Sequence, residues 1–198
     1  MSHPNQLTEL FKKRHSLAHV LLMAIKHHFP HALPTIGPVT ETGFYYDIDF
    51  SGETKIGNDD LPKVEKTMRE IIAKNLPFAV KEVTIHEAEG MFTLNPFKLE
   101  LIQQIESTGS PITIYSTGND FSDLCEGPHV ANTSELKNVG FSLTHIAGAY
   151  WRGDEKNPML TRIYGLAFDT QQELDDYKVQ QEEAKKRDHR LLGKQLKL

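Results

Sequence analysis

Two pairs of residues in this sequence could do chemistry together. His15 and His19 are four residues apart, so on a helix their side chains project from the same face, one turn apart. Cys125 and His129 stand in the segment DLCEGPHV, whose glycine and proline predict a turn that can bring both side chains to one point. Either pair alone arises easily in a chain with ten histidines. Both pairs in one chain indicate a shared cleft.

Three imidazoles and one thiol allow two kinds of site. They are the ligand types of a tetrahedral zinc ion. They also suit a cleft in which neutral imidazole acts as a general base toward water, because imidazole titrates near physiological pH. The residue types and spacing leave both alternatives open.

Three further side chains are candidates for the same cleft. Asp123 stands two residues before Cys125, so it could bind a histidine or a substrate amine. Lys98 falls on a predicted helix, where most lysines are solvated. Tyr46 falls on a predicted strand, where most tyrosines are half-buried packing residues with a satisfied hydroxyl.

The elements that must hold these residues follow from the apolar periodicity and the turn residues. We predict helices from Leu10 to Phe29, from Leu61 to Ile72 with Asp60 as its cap, from Glu87 to Phe92, from Pro96 to Ile105, and a last one that opens at the Thr170 and Glu173 capping box. We predict strands in 36–50 around a turn at Thr42 and Gly43, and in 78–85, 112–115, 139–150 and 160–168, with a loop over 118–128.

This order of elements predicts an α+β fold, with an antiparallel sheet packed against helices. The helix that carries both histidines should face the cleft. Residues 1–168 are expected to form one domain. Residues 169–198 are expected to form a mostly polar linker helix, because the apolar seam there is thin.

The composition excludes several classes of protein. The chain has 198 residues and a formal net charge of -5, so it does not grip nucleic acid over its whole surface, as a basic protein does. Its single cysteine excludes a fold built on disulfides. No stretch is long and apolar enough to span a membrane, and the start lacks the apolar core of a signal peptide. We therefore expect a cytoplasmic protein.

Four stretches, taken together, resemble the editing domain of bacterial threonyl-tRNA synthetases, a domain related to that of alanyl-tRNA synthetases. They are RHSLAH at 14–19, IGPVTETGFYYD at 36–47, DLCEGPHV at 123–130 and AGAYWRGDEKNPMLTRIYG at 147–165. The final RDHRLLGKQLKL resembles the linker that leads into the catalytic domain of those enzymes. The resemblance covers the chain from about Arg14 to its end.

The resemblance implies a proofreading hydrolase. Serine lacks only the methyl group of threonine, and one methyl gives weak discrimination by binding alone, so a second site hydrolyses the ester of serine on threonine tRNA. The residues carried over by motif are His15 and Lys98 for water activation and proton transfer, His19, Cys125 and His129 for lining the site and positioning water or substrate, Asp123 for the α-amino group, and Tyr46 for the pocket near the terminal adenosine.

The resemblance also implies cofactors and partners. Editing requires no cofactor, and ATP and magnesium belong only to the catalytic domain, whose motifs are missing here. The expected partners are the acceptor end of threonine tRNA carrying serine, and the catalytic and anticodon-binding domains of a full-length synthetase. Because the preceding ubiquitin-like domain is missing too, we expect an excised fragment. Glu126 stands where related sequences often carry a basic residue, which weakens the local attraction for RNA.

Two alternatives remain beside the editing hydrolase. The first is a free-standing trans-editing hydrolase of the alanyl type, with zinc bound by His15, His19, Cys125 and His129. The second is a non-catalytic tRNA-binding module, in which a basic end touches phosphates. That basic end comprises Lys185, Lys186, Arg187, Arg190, Lys194 and Lys197.

Overall fold

The computed structural model describes residues 8–53 and 56–195, and the side chains of this range up to residue 187. The helices are α1 (Glu9–His28), α2 (Leu61–Ala73), α3 (Ile85–Met91), α4 (Pro96–Thr108) and α5 (Gln171–Gln195). The strands are β1 (Leu33–Pro34), β2 (Gly43–Asp49), β3 (Phe78–Val83), β4 (Ile112–Thr117), β5 (Phe121–Leu124), β6 (Gly140–Tyr150) and β7 (Met159–Phe168). The predicted α+β class is confirmed.

The helix α1 is the centre of the larger core. The Thr8 hydroxyl accepts a hydrogen bond from the amide of Phe11 and caps its start, and Pro30 follows its end. Its apolar face, which includes the fully buried Leu17 and Leu21, packs with α2 against a sheet. This packing fixes the rotation of α1, and with it the direction in which His15 and His19 point.

The antiparallel strands form two sheets, where the sequence indicated one. The four-stranded sheet has the order β1-β2-β7-β6, and α1 and α2 cover one of its faces. The three-stranded sheet has the order β3-β4-β5, and α3 and α4 pack on it around a smaller core that includes Ile102 and Ile114. Every pair of neighbouring strands is antiparallel. The cleft described below draws its walls from both parts.

Two predicted segments differ from the structure. The predicted loop over 118–128 contains β5, which pairs with β4 so that Leu124 lies opposite Ile114. The four residues of β5 include two polar ones and show no clear alternation of apolar and polar side chains. They form a strand because β4 supplies the hydrogen-bond partners. The first arm of the predicted 36–50 pair is irregular, because Pro38 within it has no amide hydrogen to donate to a ladder.

The helix α5 is polar along most of its length, as predicted. Glu173 and Thr170 bond to each other's amides in a reciprocal cap, and Leu174 is buried against the four-stranded sheet. Lys197 of the predicted basic end, and the side chains of Arg190 and Lys194, lie outside the described residues. In 8–53 and 56–195, the structure contains no helix with the length and apolar character needed to cross a bilayer.

The β2–β7 contact requires a glycine, which leads to a first prediction. Gly165 lies opposite Phe44, and a Cβ added there would stand 2.6 Å from the phenyl ring of Phe44, which is fully buried. We expect Gly165→Ala to lower the free energy of unfolding by about 1–3 kcal/mol through overpacking. Urea titration would measure it. Gly52→Ala is the matched control, since a Cβ there meets no atom of the described residues within 4 Å. Equal stability of the two variants would contradict this account of the sheet.

Candidate functional site

The His15 and His19 face of α1 lies against the segment after β5. The Nδ1 atom of His15 is 3.1 Å from the carbonyl oxygen of Pro128. Between the two histidines, the hydroxyl of Ser16 accepts a hydrogen bond from the amide of Val130 and lies 3.1 Å from Nδ1 of His129. Sequence reasoning missed Ser16, whose signal was its place inside RHSLAH. Through these contacts, Ser16 joins α1 to the segment after β5.

The structure brings the two predicted pairs to one point. The sulfur of Cys125 lies 3.3 Å from Nε2 of His15 and 3.2 Å from Nε2 of His129. The ring centroids of His19 and His129 are 4.2 Å apart. One ligand atom from each of the four residues falls within 4.8 Å of all the others. The four side chains thus form a single cluster, the His/Cys cluster.

The His/Cys cluster could hold a metal ion. Its three nitrogens and one sulfur are a tetrahedral zinc donor set, in which neighbouring ligand atoms lie about 3.4–3.6 Å apart. The nitrogens of His15 and His129 that face away from the sulfur are held by Pro128 and Ser16, as the outer nitrogens of metal-bound histidines usually are. Nδ1 of His19 is buried without a hydrogen-bond partner in the described part of the chain. By donor type the residues fit zinc, and their ligand atoms, within 4.8 Å of one another, are close enough to gather around one ion.

Burial sets the protonation of the His/Cys cluster. Desolvation is the largest cause that lowers the pKa of His15, His19 and His129. Repulsion from the protonated form of a neighbouring histidine lowers the pKa of His19 and His129 further, and for His19 the charge of Lys98 adds to it. Desolvation likewise raises the pKa of the Cys125 thiol to about 12. Without a metal, the four groups are therefore neutral near pH 7. Neutral imidazoles can accept a proton, whereas a neutral thiol is a poor nucleophile.

Lys98, Asp123 and Tyr46 form a second, buried group. The ammonium nitrogen of Lys98 lies 2.6 Å from Oδ1 of Asp123, and both side chains are at most 3 % exposed. The hydroxyl of Tyr46 donates to Oδ2 of the same carboxylate at 2.6 Å, and the amide of Leu124 donates to Oδ1. Burial, followed by the charge of Asp123, raises the pKa of Tyr46 well above its ordinary value. We call these three residues the Lys98 triad.

The two groups share one cavity of about 610 Å³. His15, His19 and Cys125 of the His/Cys cluster line it, together with all three members of the Lys98 triad. His129 contacts Cys125 but is not part of the wall. Much of the remaining wall comes from the 35–39 segment before β2 and from α4 with Leu101, Gln104 and Ile105, and Phe11 and the start of β4 add to it. Glu126 stands exposed at its edge.

The α4 helix directs Lys98 into this cavity. The side chain of Asn95 accepts hydrogen bonds from the amides of Phe97 and Lys98, which starts the helix, and its own amide group donates to the carbonyl of Pro34. Lys98 lies four residues before the buried Ile102, so it belongs to the apolar stripe of α4. That spacing was the signal in the sequence that this lysine is not solvated.

Comparison with known proteins agrees with this architecture. Residues 112–164 match the family model of the threonyl and alanyl tRNA synthetase second additional domain. The matched part begins with β4 and includes β5, the Cys125–His129 segment and most of the β6–β7 hairpin. This part of the chain is therefore similar to the second additional domain of those synthetases.

Within that group, the chain is similar to threonine–tRNA ligases. It is 49% identical to the enzyme of Borrelia duttonii (strain Ly) over 189 residues, which is 96% of the chain and 32% of that enzyme. It is also 49% identical to the Rubrobacter xylanophilus enzyme, of which it covers 28%, and 48% identical to that of Thermotoga maritima over 93% of the chain. The chain spans about a third of the length of these relatives.

Proposed function

We propose that this chain hydrolyses the ester of serine mistakenly attached to threonine tRNA. The observation that carries the proposal is that neutral imidazoles and a buried lysine–carboxylate pair face each other across one cavity. About 610 Å³ lies in the usual range for a small-molecule site and accommodates a terminal aminoacyl-adenosine. An aminoacyl ester is already activated, so the site needs only to position water and stabilise the oxyanion.

His15 acts as the general base. Its burial keeps the imidazole neutral, and Nδ1 is oriented by the Pro128 carbonyl. Nε2 takes a proton from a water that attacks the ester carbonyl carbon. Cys125, which contacts this imidazole from the cavity wall, holds that water, and His129 stacks on the ring of His15 and keeps the ring in place. His19 closes the site on the side of the helix.

Lys98 stabilises the negative charge that develops on the carbonyl oxygen. Its ion pair with Asp123 holds the ammonium in one position in a buried site, where such a donor acts strongly. When the tetrahedral intermediate collapses, the bond between the carbonyl carbon and the ribose oxygen breaks. The ribose oxygen takes the proton that His15 removed from the water, and the products are free serine and uncharged tRNA.

Asp123 and Tyr46 bind the substrate. The carboxylate of Asp123 attracts the α-amino group of the seryl ester, and Tyr46 holds that carboxylate through its hydroxyl. The ring of Tyr46 contributes to the cavity wall, on the side that receives the terminal adenosine. Threonine is excluded because its additional methyl group would clash with the cavity wall.

A zinc-dependent variant of the same hydrolysis is the second candidate. It rests on the fit of the His/Cys cluster to a tetrahedral ion. His15, His19, Cys125 and His129 would hold zinc: with all four bound the ion would be structural, and with three bound it would supply Lewis acidity to a water in the fourth position. We favour the metal-free reaction, because the Lys98 triad already provides a fixed positive charge in the cavity.

The larger protein delivers the substrate. Since the chain covers about a third of its relatives, we propose that catalytic and anticodon-binding domains elsewhere in a threonine–tRNA ligase bind threonine tRNA and bring its acceptor end to this cavity. Attachment of threonine, with ATP and magnesium, belongs to those domains, in the cytoplasm where translation takes place.

The experiment that tests the proposal compares two esters. The purified chain is mixed with seryl- and threonyl-charged threonine tRNA, and release of the amino acid is followed with and without a zinc chelator. We expect rapid loss of the seryl ester only, in both conditions. Loss of activity with the chelator, together with stoichiometric zinc in the purified protein, would establish the zinc variant. No hydrolysis, even with the rest of a threonine–tRNA ligase added, would refute the function.

A further inference from the structure

The turn between β6 and β7 lies outside the cavity wall but contacts the helix that carries Lys98. The turn spans Trp151–Gly153, in the middle of the stretch AGAYWRGDEKNPMLTRIYG. Trp151 is buried, and its ring stands edge-on to that of Phe97 at 5.3 Å between centroids. Leu160 completes this small apolar cluster. The cluster joins the four-stranded sheet to the first turn of α4.

Polar contacts extend this junction along α4. The indole N–H of Trp151 donates to Oε2 of Glu100 at 2.9 Å, and Nε of Arg152 lies 2.5 Å from Oε1 of the same carboxylate. A terminal nitrogen of Arg152 donates to the side-chain oxygen of Gln104 at 2.8 Å. Both carboxylate oxygens of Glu100 are therefore occupied by the turn. Gln104, one helical turn further on, is itself a residue of the cavity wall.

The backbone of Arg152 indicates that this geometry serves something other than stability. Its φ is 55°, in the left-handed region that is strained for a residue with a side chain. The ion pair that it makes is about half exposed on both sides, and pairs of that kind stabilise a fold little. Arg152 therefore carries backbone strain, although the ion pair that it makes contributes little to the stability of the fold. What the contact does fix is the position of α4 relative to the four-stranded sheet.

We propose that Trp151 and Arg152 are positioning residues, which hold α4, and with it Lys98 and Gln104, at the distance from α1 that hydrolysis requires. The inference rests on the proposed function of the cavity. Lys98 lies between Phe97 and Glu100, the two residues of α4 that the turn holds. A shift of this helix would move the ammonium away from the developing oxyanion, and displacements of about 1 Å are enough to slow a reaction by about 100-fold.

The Arg152→Gly variant distinguishes a role of this residue in positioning α4 from a role in the stability of the fold. Glycine adopts the left-handed backbone without strain, so the variant should be at least as stable as the parent chain. Loss of the side chain removes the contacts of Arg152 with Glu100 and Gln104 and loosens α4, and we expect kcat for seryl ester hydrolysis to fall at least about 10-fold while KM changes little. Arg152→Lys, which keeps the charge toward Glu100, should recover part of kcat. Lys156→Ala is the matched control in the same connection, and it should leave kcat unchanged.

Amide hydrogen exchange tests the same inference without hydrolysis. In Arg152→Gly, the amides of α4 should exchange several-fold faster, whereas those of α2 keep their rates. If the parent chain hydrolyses neither ester even with the rest of a threonine–tRNA ligase added, the proposed function fails, but the exchange rates still test the contact between turn and helix. Parent-like kcat, or parent-like exchange of α4, in Arg152→Gly would overturn the inference. A fall in kcat that merely follows a loss of thermal stability would overturn it as well.

Discussion

We expect the Lys98→Met chain to hydrolyse the seryl ester at least about 100-fold more slowly than the parent, the loss typical when one donor to an oxyanion is removed. Its free energy of unfolding should also fall by about 3–5 kcal/mol, because the carboxylate of Asp123 is then buried without its cation. Single-turnover hydrolysis of seryl-tRNA measures the first effect, and urea titration followed by circular dichroism measures the second.

A triple variant distinguishes the two effects of this substitution. Lys98→Met, Asp123→Leu and Tyr46→Phe together replace the buried polar groups of the Lys98 triad by apolar side chains of similar size. Such a replacement is often neutral for stability, so the triple variant should be more stable than Lys98→Met alone while it remains inactive. Lys66→Met is the control for removal of an exposed lysine. Hydrolysis at the parent rate by the Lys98→Met chain would exclude a catalytic role for this lysine.

The second large effect is expected in His15→Ala. A positioned general base contributes about 100- to 10,000-fold to a rate, so hydrolysis of the seryl ester should fall within that range. Binding of seryl-tRNA should change much less, since the Lys98 triad remains in place. His27→Ala is the matched control: it removes an exposed imidazole from the same helix and should leave the rate unchanged.

Added imidazole gives this prediction a sharper test. It can enter the space that His15→Ala opens, and it should restore part of the rate in proportion to its concentration. Metal analysis of the parent and of His15→Ala completes the comparison. A parent-like rate in His15→Ala would rule out this base. Zinc present in the parent and absent from the variant would favour the zinc-dependent reaction instead.

The helices could be predicted from the sequence because their signals are local. Apolar spacing and the flanking prolines indicated α1 to within a residue or two, and Asn95 with Pro96 marked the start of α4. The reciprocal cap of α5 was also readable from Thr170 and Glu173. Each of these signals depends on neighbours within about one helical turn.

The division into two sheets could not be predicted from the sequence, because it does not depend on local signals. A strand such as β5 is short and partly polar, and it exists because β4 supplies hydrogen-bond partners along its length. Pairing of this kind is decided between segments distant in the chain. The irregular arm before β2 depends on tertiary structure as well, since residues 35–39 follow the cavity wall rather than a regular ladder.

For the candidate site, residue types and spacing by themselves determined which side chains to consider: the two pairs of the His/Cys cluster, and, with the resemblance, the members of the Lys98 triad. Tertiary structure alone decided their partners. It placed the Lys98 ammonium on the carboxylate of Asp123, inserted Ser16 between the halves of the cluster, and brought the Trp151 turn onto α4. Spacing along a chain specifies which face of an element a residue occupies, whereas the group opposite that face depends on how the elements pack.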